Sequence, residues 1–156
     1  MPLTPPALSS ELQAIQNDHP ANEAAAIVAW SDGFHAFMLN SAANGIPLVP
    51  VIGLAAKALM IPAMTGLNTA GAAAIQAGVL AYWGGLNVPG AYGGSIAVAP
   101  PPGLAGLAAA LLAVFPVNVA GGLDTAPACD AIAGAWQPLM LGGIATFPGP
   151  LPFPIL

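Results

Sequence analysis

Apolar residues between positions 22 and 40 recur with the period of an α-helix. Ile27, Trp30, Phe34 and Phe37 follow one another at steps of three and four residues, so a helix places all four on one face. The pattern therefore predicts an amphipathic helix over 22–40. Its polar positions, away from the apolar face, are Ser31, Asp32 and His35.

Short polar side chains predict where three long helices begin. Asn22, the pair Asn68-Thr69 and the pair Asp124-Thr125 each precede an apolar or Ala-rich run. Such side chains accept hydrogen bonds from the free N–H groups of a first helical turn. The predicted long helices cover 22–40, 69–86 and 125–140.

Two shorter segments are apolar on every side. They cover about 51–61 and 102–115, and we expect Pro62 and Pro116 to end them because proline interrupts the hydrogen bonding of a helix. A helix without a polar face is normally buried by its neighbours.

These elements predict an all-α fold, a small bundle of about five helices in alternating long and short order. Pro and Gly concentrate in the connections and at the C-terminal end, where the chain is expected to be extended or polyproline-like. We interpret 1–156 as one domain. It comprises a Pro-rich and polar N-terminal arm at 1–20, a helical body at 21–141 and a Pro-rich apolar tail at 142–156, with loops at 44–50 and 87–102.

Part of the helical body resembles a second part of the same chain. Segment 46–72 matches segment 96–128, and the most specific match is Leu-Asn-Thr-Ala at 67–70 with Leu-Asp-Thr-Ala at 123–126. We interpret the match as a partial internal duplication. Because Ala is abundant, coincidence remains the alternative.

Charge is scarce along the whole chain and absent from its centre. Residues 58–123 contain no Asp, Glu, Lys, Arg or His, and charged residues are 4% of the sequence. Soluble surfaces are normally about 25–35% charged. A folded chain of 15.3 kDa exposes about 7,100 Å², so much of this exterior must be apolar. Large apolar surfaces usually contact a partner or a membrane.

Several classes of function need residues that this chain lacks. With one Lys, no Arg and a net charge of −5, it has no basic surface for nucleic acid. Cys129 is the sole cysteine, which excludes an intramolecular disulfide. No phosphate-binding Gly loop or Cys/His cluster is present, so we predict no cofactor and no metal site. The N-terminal residues also lack the basic and apolar regions of a secretory signal.

A membrane protein is the second interpretation. A spanning helix needs about 20 apolar residues to cross about 30 Å, whereas residues 103–115 reach about 20 Å. Lys57 lies at the centre of the other short segment, and Gln76 interrupts 69–86. Basic flanks, which set membrane topology, are absent. A small integral membrane or pore-forming, holin-like protein remains the alternative.

Candidate chemistry is limited to a few residues. Asp32 and His35 lie on one helix face, but general acid–base catalysis also needs a pocket and a further partner; a solvated polar face is the preferred interpretation, and an enzyme is not expected. Lys57 either extends its long stem to the surface or forms a buried ion pair with Asp32 or Asp124. The candidate interface residues, most of them aromatic, are Trp30, Trp83, Tyr92, Trp136, Phe147, Phe153 and Leu156. For the three Trp residues, a place in the core is the alternative, because large aromatic side chains anchor both cores and contacts.

The sequence therefore favours a non-enzymatic structural subunit of a large assembly. We expect it to pack against copies of itself or other structural proteins of the same particle, through apolar helix faces and the tail. A component of a virion, phage tail or contractile injection machine, assembled in the cytoplasm, fits an exterior that is covered on assembly.

Overall fold

The computed structural model describes residues 4–18, 20–39, 42–43, 46–47, 53–89, 95–121, 125–140, 144–146 and 152–154. Within these ranges, side chains are described at 4–18, 20–39, 54–86, 99–114 and 126–140.

The fold is all-α, as predicted, with six α-helices in the described residues. The helices predicted over 22–40, 51–61, 69–86, 102–115 and 125–140 are all present, with shifted ends. The α-helices are α1 (Pro5–Asp18), α2 (Glu23–Met38), α3 (Gly53–Ala63), α4 (Leu67–Gly85), α5 (Leu107–Gly121) and α6 (Thr125–Trp136). Short 3₁₀ helices at Pro102–Gly106 and Gln137–Met140 precede α5 and follow α6.

Helix α1 was not predicted, because 1–20 was interpreted as an arm. Its first residues are prolines, which the first turn of a helix tolerates because the N–H groups there have no intrahelical acceptor. Leu8, Leu12 and Ile15 recur at steps of four and three residues and are buried against α2 and α6. Ser9 Oγ donates a 2.5 Å hydrogen bond to Asp130 Oδ1, which joins α1 to α6.

The start of α2 is the predicted one, and the start of α4 is not. Asn22 Oδ1 accepts a 2.9 Å hydrogen bond from the Ala25 N–H, as expected of a helix cap. Helix α4 is preceded by Gly66, whose φ of 86° suits glycine. The Gly66 N–H donates to Glu23 Oε1 at 2.7 Å, and no side chain caps the first turn of α4, so Asn68 lies inside the helix and does not begin it.

Two prolines that were expected to end helices lie inside them. Helix α3 continues past Pro62 to its last residue, and α5 continues past Pro116 by five residues to Gly121. A proline inside a helix removes one backbone hydrogen bond and bends the helix. The Ala- and Leu-rich turns before the proline keep their backbone hydrogen bonds, so the helix can continue past it. The prediction that α5 stops at Phe115 is therefore wrong.

Short antiparallel strands occupy parts of the segments predicted to be loops and tail. Strands β1 (Ala42–Ala43) and β2 (Ile46–Pro47) form a pair. A second sheet consists of β3 (Asn87–Pro89), β4 (Ser95–Ala99), β5 (Ile144–Thr146) and β6 (Pro152–Pro154). Its strand order is β3-β4-β5-β6, with Ala97 opposite Thr146 and Ala145 opposite Phe153.

The described core lies among the helices, and its tightest contact joins α3 to α4. Met60 of α3 and Met64 of the turn after it are fully buried, and Gly78 of α4 faces both of them. A Cβ atom at Gly78 would lie 2.3 Å from Met64 Cγ, which is closer than non-bonded carbon atoms approach. Seven residues further along α4, Gly85 faces Ala56 in the same way.

The two segments interpreted as a duplication share an order of elements. Strand β2, α3 and α4 follow one another in the first segment, and β4, the 3₁₀ helix with α5, and α6 follow in the second. The duplication itself stays a prediction.

Candidate assembly surface

Polar side chains of the central helices bond within the chain. Gln76 of α4, predicted to disfavour a membrane span, accepts a 2.7 Å hydrogen bond at Oε1 from the Ala108 N–H at the start of α5. Ser31 Oγ donates to the Ile27 carbonyl at 2.8 Å and is buried. These contacts satisfy backbone and hydroxyl groups and leave few polar groups for the exterior.

Lys57 forms an ion pair with Asp32, joining α3 to α2. The side chains are 23% and 53% exposed, so the pair is not buried, in contrast to the buried pair considered from the sequence. Ion pairs with this much solvent access contribute at most about 1 kcal/mol. The other partner considered, Asp124, lies outside the described residues.

His35 contacts the buried ring of Tyr82. His35 Nδ1 and Tyr82 Oη are 2.7 Å apart and share one hydrogen bond. Burial lowers the pKa of His35, and nearby Lys57 lowers it further against the opposing effect of Asp32. Burial raises the pKa of Tyr82. The uncharged forms of both groups are thus favoured, which suits a structural hydrogen bond between α2 and α4.

An open groove of about 410 Å³ runs between α1 and α2. Three carboxylates line it, those of Glu11, Asp18 and Asp32, whereas His35 and Lys57 do not. The structure therefore does not bring Asp32, His35 and Lys57 together in this groove. Among the described residues, no group of three or more His, Cys, Asp or Glu side chains is arranged to hold a metal ion.

Aromatic rings from three helices stack in the core. Trp136 stacks on Trp30 at a centroid distance of 6.2 Å and on Phe34 at 5.6 Å. Phe34 meets Tyr82 edge to face at 5.0 Å, a favourable geometry for aromatic pairs. This cluster holds α6 against α2 and α4.

Two predicted interface residues are core residues instead. Trp83 and Trp136 are fully buried, so neither is available to a partner in this conformation, and their indole Nε1 atoms have no hydrogen-bond partner among the described side chains. Trp30 is partly buried on the same cluster. Tyr92, Phe147 and Leu156 lie outside the described residues, and only the backbone of Phe153, in β6, is described.

The outer sides of α3 and α4 form a continuous apolar surface, here named the α3–α4 face. On α3, Leu54 is 69% exposed and Leu59 is 51% exposed, and Leu59 borders Gly85 of α4. The other exposed residues of this face on α3 are Ala55, Ala58 and Pro62, and those on α4, after the break in its helical backbone at Gly71, are Ala73, Ala77 and Gly84. Before the break, the exposed residues of α4 include the polar Asn68 and Thr69.

The rest of the exterior after α3 is also nearly free of polar side chains. On α5, Leu112 is 60% exposed beside exposed Ala109 and Ala113. The exposed side chains of α1, α2 and the turn between them include, by contrast, Ser10, Gln16, Asn17, Asp18, Asn22 and Asp32. Among the exposed residues whose side chains are described between 54 and 138, the polar ones are Thr65, Asn68, Thr69 and Asp130, and the others are Ala, Leu, Pro and Gly.

The sequence predicted contacts through apolar helix faces, the tail and several aromatic residues, and it did not single out the outer side of α3. The signal was present in the four-residue spacing of Leu54, Ala58 and Pro62 and of Ala55 and Leu59, because residues four apart share a helix side. The inner side of α3, with Met60, is equally apolar, so the sequence alone did not distinguish the outer side from the inner one.

In the part of the chain that the structure describes, no helix combines the length and apolar character needed to cross a membrane. No protein-family model, curated protein or solved structure matches this chain.

Proposed function

We propose that this chain is a non-enzymatic structural subunit of a large protein assembly. The observation that carries the proposal is the nearly unbroken apolar exterior from α3 to the end of the second 3₁₀ helix, where four polar residues are exposed in the described part. Neighbouring copies or other structural proteins of the same particle cover this exterior.

The energetic reason is the cost of exposing apolar surface to water. Burial of such surface is favourable by about 25 cal/mol per Å², and monomeric proteins rarely expose apolar patches larger than about 300–600 Å². The folded chain exposes 7464 Å², close to the expectation for its mass, so the apolar character does not come from an expanded fold. Association removes this surface from water without rearranging the helices.

We further propose a virion, a phage tail or a contractile injection machine as the setting, with assembly in the cytoplasm. In such particles each subunit has neighbours on several sides. The polar side chains available are largely used in contacts within the chain, as at Gln76 and Glu23, which suits a subunit whose outer surface meets protein.

The second candidate, a small membrane or pore-forming protein, is favoured by the same apolar exterior, since lipid would also cover it. Against it, α5 has 15 residues and a length of about 22 Å, below the roughly 30 Å of a bilayer core. The apolar surface is also distributed over several short helices.

Fractionation of cells that express the full chain separates the two candidates. A structural subunit is expected in the detergent-free fraction as an oligomer of defined size, or only when its partner proteins are expressed with it. Recovery in membranes after a carbonate wash would support the second candidate. A dispersed monomer at high protein concentration would contradict the proposed function.

A further inference from the structure

We propose that the α3–α4 face binds the same face of a second copy of this chain, with the two α3 helices crossing near a two-fold axis. This inference rests on the proposed structural role and assigns one of its contacts to particular residues. A second copy is the occupant because the face is uncharged, carries small residues along two helices and lies away from the acidic groove.

Within the part of the chain whose side chains are described, the outer side of α3 is exposed. At 3.6 residues per turn, Leu54, Ala55, Ala58, Leu59 and Pro62 cover an outer arc of about 140°, and the opposite side faces the core. A helix that is apolar on both sides is normally buried on both sides. The ion pair of Lys57 with Asp32 lies at the border with α2, outside the arc.

The distribution of charge favours an identical partner. Two copies with a net charge of −5 each repel one another unless their acidic groups remain apart. Glu11, Asp18 and Asp32 line the groove between α1 and α2; Glu23 is bonded to Gly66 and Asp130 to Ser9. None of these five carboxylates lies on the α3–α4 face, so two copies can join there without bringing these negative charges close to one another.

Other modes of contact are less favourable at this face. Peripheral helices that bind lipid surfaces usually carry Lys or Arg beside their apolar side, and Lys57, the sole cation of the sequence, is paired with Asp32. Strand addition at the four-stranded sheet is also disfavoured, because both edge strands have three residues and contain proline. Helix packing is the remaining mode.

The size of the face is sufficient for a small dimer contact. Helix α3 has 11 residues, and α4 has 14 residues, 72–85, after the break in its helical backbone at Gly71. At about 1.5 Å per residue and about 10 Å of width, their projected area is about 380 Å². The accessible area of a ridged surface exceeds its projection, which brings the face toward the roughly 600 Å² per partner at the low end of specific interfaces.

The side chains of α3 are arranged to fit their own copy. Ala58 lies between Leu54 and Leu59 and leaves space above the helix, so a leucine from the opposite α3 can occupy it. In a two-fold contact this insertion occurs twice, because each copy inserts the same leucine into the same space of the other copy. The small residues Ala73 and Ala77 on the neighbouring α4 allow close approach of the second copy.

The test uses the full chain with Leu59→Glu and Leu59→Lys, compared with wild type by sedimentation velocity over a range of concentrations. Each variant places equal charges close together across the two-fold axis, so we expect the dissociation constant to rise at least about tenfold. An equimolar mixture of the two variants is expected to associate again, because each pair then contains opposite charges. The matched control is Val28→Glu on α2, outside the apolar exterior that begins at α3. Val28 is 44% exposed, close to the exposure of Leu59, and its replacement should leave the association constant within about threefold of wild type.

A second variant tests the same geometry without adding charge. Ala58→Cys in a Cys129→Ser background is expected to form a disulfide-linked dimer on mild oxidation, since bonded cysteines need Cα atoms within about 7 Å. Ala24→Cys in the same background, at an exposed position on α2, should not. Far-UV circular dichroism confirms that each variant is folded.

The outcomes separate this inference from the proposed function. If the wild type associates and the Leu59 variants associate equally well, the α3–α4 face is not the contact and the structural role stands. If the mixture fails to associate, the two-fold pairing is wrong. If the wild type stays monomeric alone and with its co-expressed proteins, both the inference and the proposed function fail. Binding of the wild type, but not Leu59→Glu, to neutral lipid vesicles without self-association would assign the face to lipid.

Discussion

Replacement of Gly78 by Ala should destabilise the fold because α3 and α4 leave no room for a methyl group there. The new Cβ would lie 2.3 Å from Met64 Cγ, 2.9 Å from its Sδ and 3.2 Å from Met60 Cγ. Both methionines are fully buried, so neither can swing into solvent. Overpacking of a filled core costs about 1–3 kcal/mol.

Gly84→Ala is the matched control in the same helix. Gly84 is exposed and has no atom within 4 Å of its added Cβ, so this variant gains up to about 1 kcal/mol from helix propensity. Gly78→Ala gains the same propensity and suffers the overpacking. The free energy of unfolding of Gly78→Ala should therefore lie about 1–3 kcal/mol below that of Gly84→Ala.

Urea unfolding followed by circular dichroism measures this difference, at one protein concentration because association shifts apparent stability. Met64→Ala removes the atoms that oppose the new methyl group. In that background the cost of Gly78→Ala should largely disappear, as a coupling between contacting residues. If Gly78→Ala is as stable as Gly84→Ala, the close packing of α3 on α4 is wrong.

Three further predictions concern polar contacts. Gln76→Ala leaves a backbone N–H at the start of α5 unpaired and should lower the free energy of unfolding by about 1–2 kcal/mol. The control, Gln16→Ala at an exposed position, should change it by less than about 0.5 kcal/mol. Equal effects of the two variants would contradict the hydrogen bond from the start of α5 to Gln76. The fold lowers the pKa of His35 from 6.5, so the stability that neutral His35 contributes is present above about pH 6.5 and is lost as the pH falls through the lowered pKa. His35→Gln should therefore reduce the dependence of the free energy of unfolding on acid pH, measured by urea unfolding. If the variant and the wild type show the same pH dependence, this role of His35 is wrong. Lys57→Met should cost less than about 1 kcal/mol by the same assay, since the pair with Asp32 is partly exposed, and a loss above about 3 kcal/mol would indicate a buried pair.

The sequence predicted those helices whose ends are set by local chemistry. Helix α2 begins where Asn22 predicts it, because a cap acts within one turn. The start of α4 depends instead on Glu23, 43 residues away from Gly66, and no local pattern contains that bond. Helix α1 was missed because Pro5 and Pro6 resemble an extended arm, although both fit a first turn.

The sequence predicted that the exterior is apolar, but it did not predict which helix sides form the candidate surface. The absence of charge between 58 and 123 indicated an apolar exterior, which follows from composition alone. Which side of α3 is outside depends on where α4 packs, and this is decided by Gly78 and Gly85 against the methionines and Ala56. For Trp83 and Trp136 the sequence left core and interface open, because large aromatic side chains serve both, and their burial in the structure places them in the core.

Sedimentation equilibrium of the full chain in detergent-free buffer, over a hundredfold range of concentration, tests directly whether copies of the chain cover its apolar exterior. The expected result is a mass that rises with concentration to a defined multiple of 15.3 kDa. A mass of one chain at every concentration would contradict self-association.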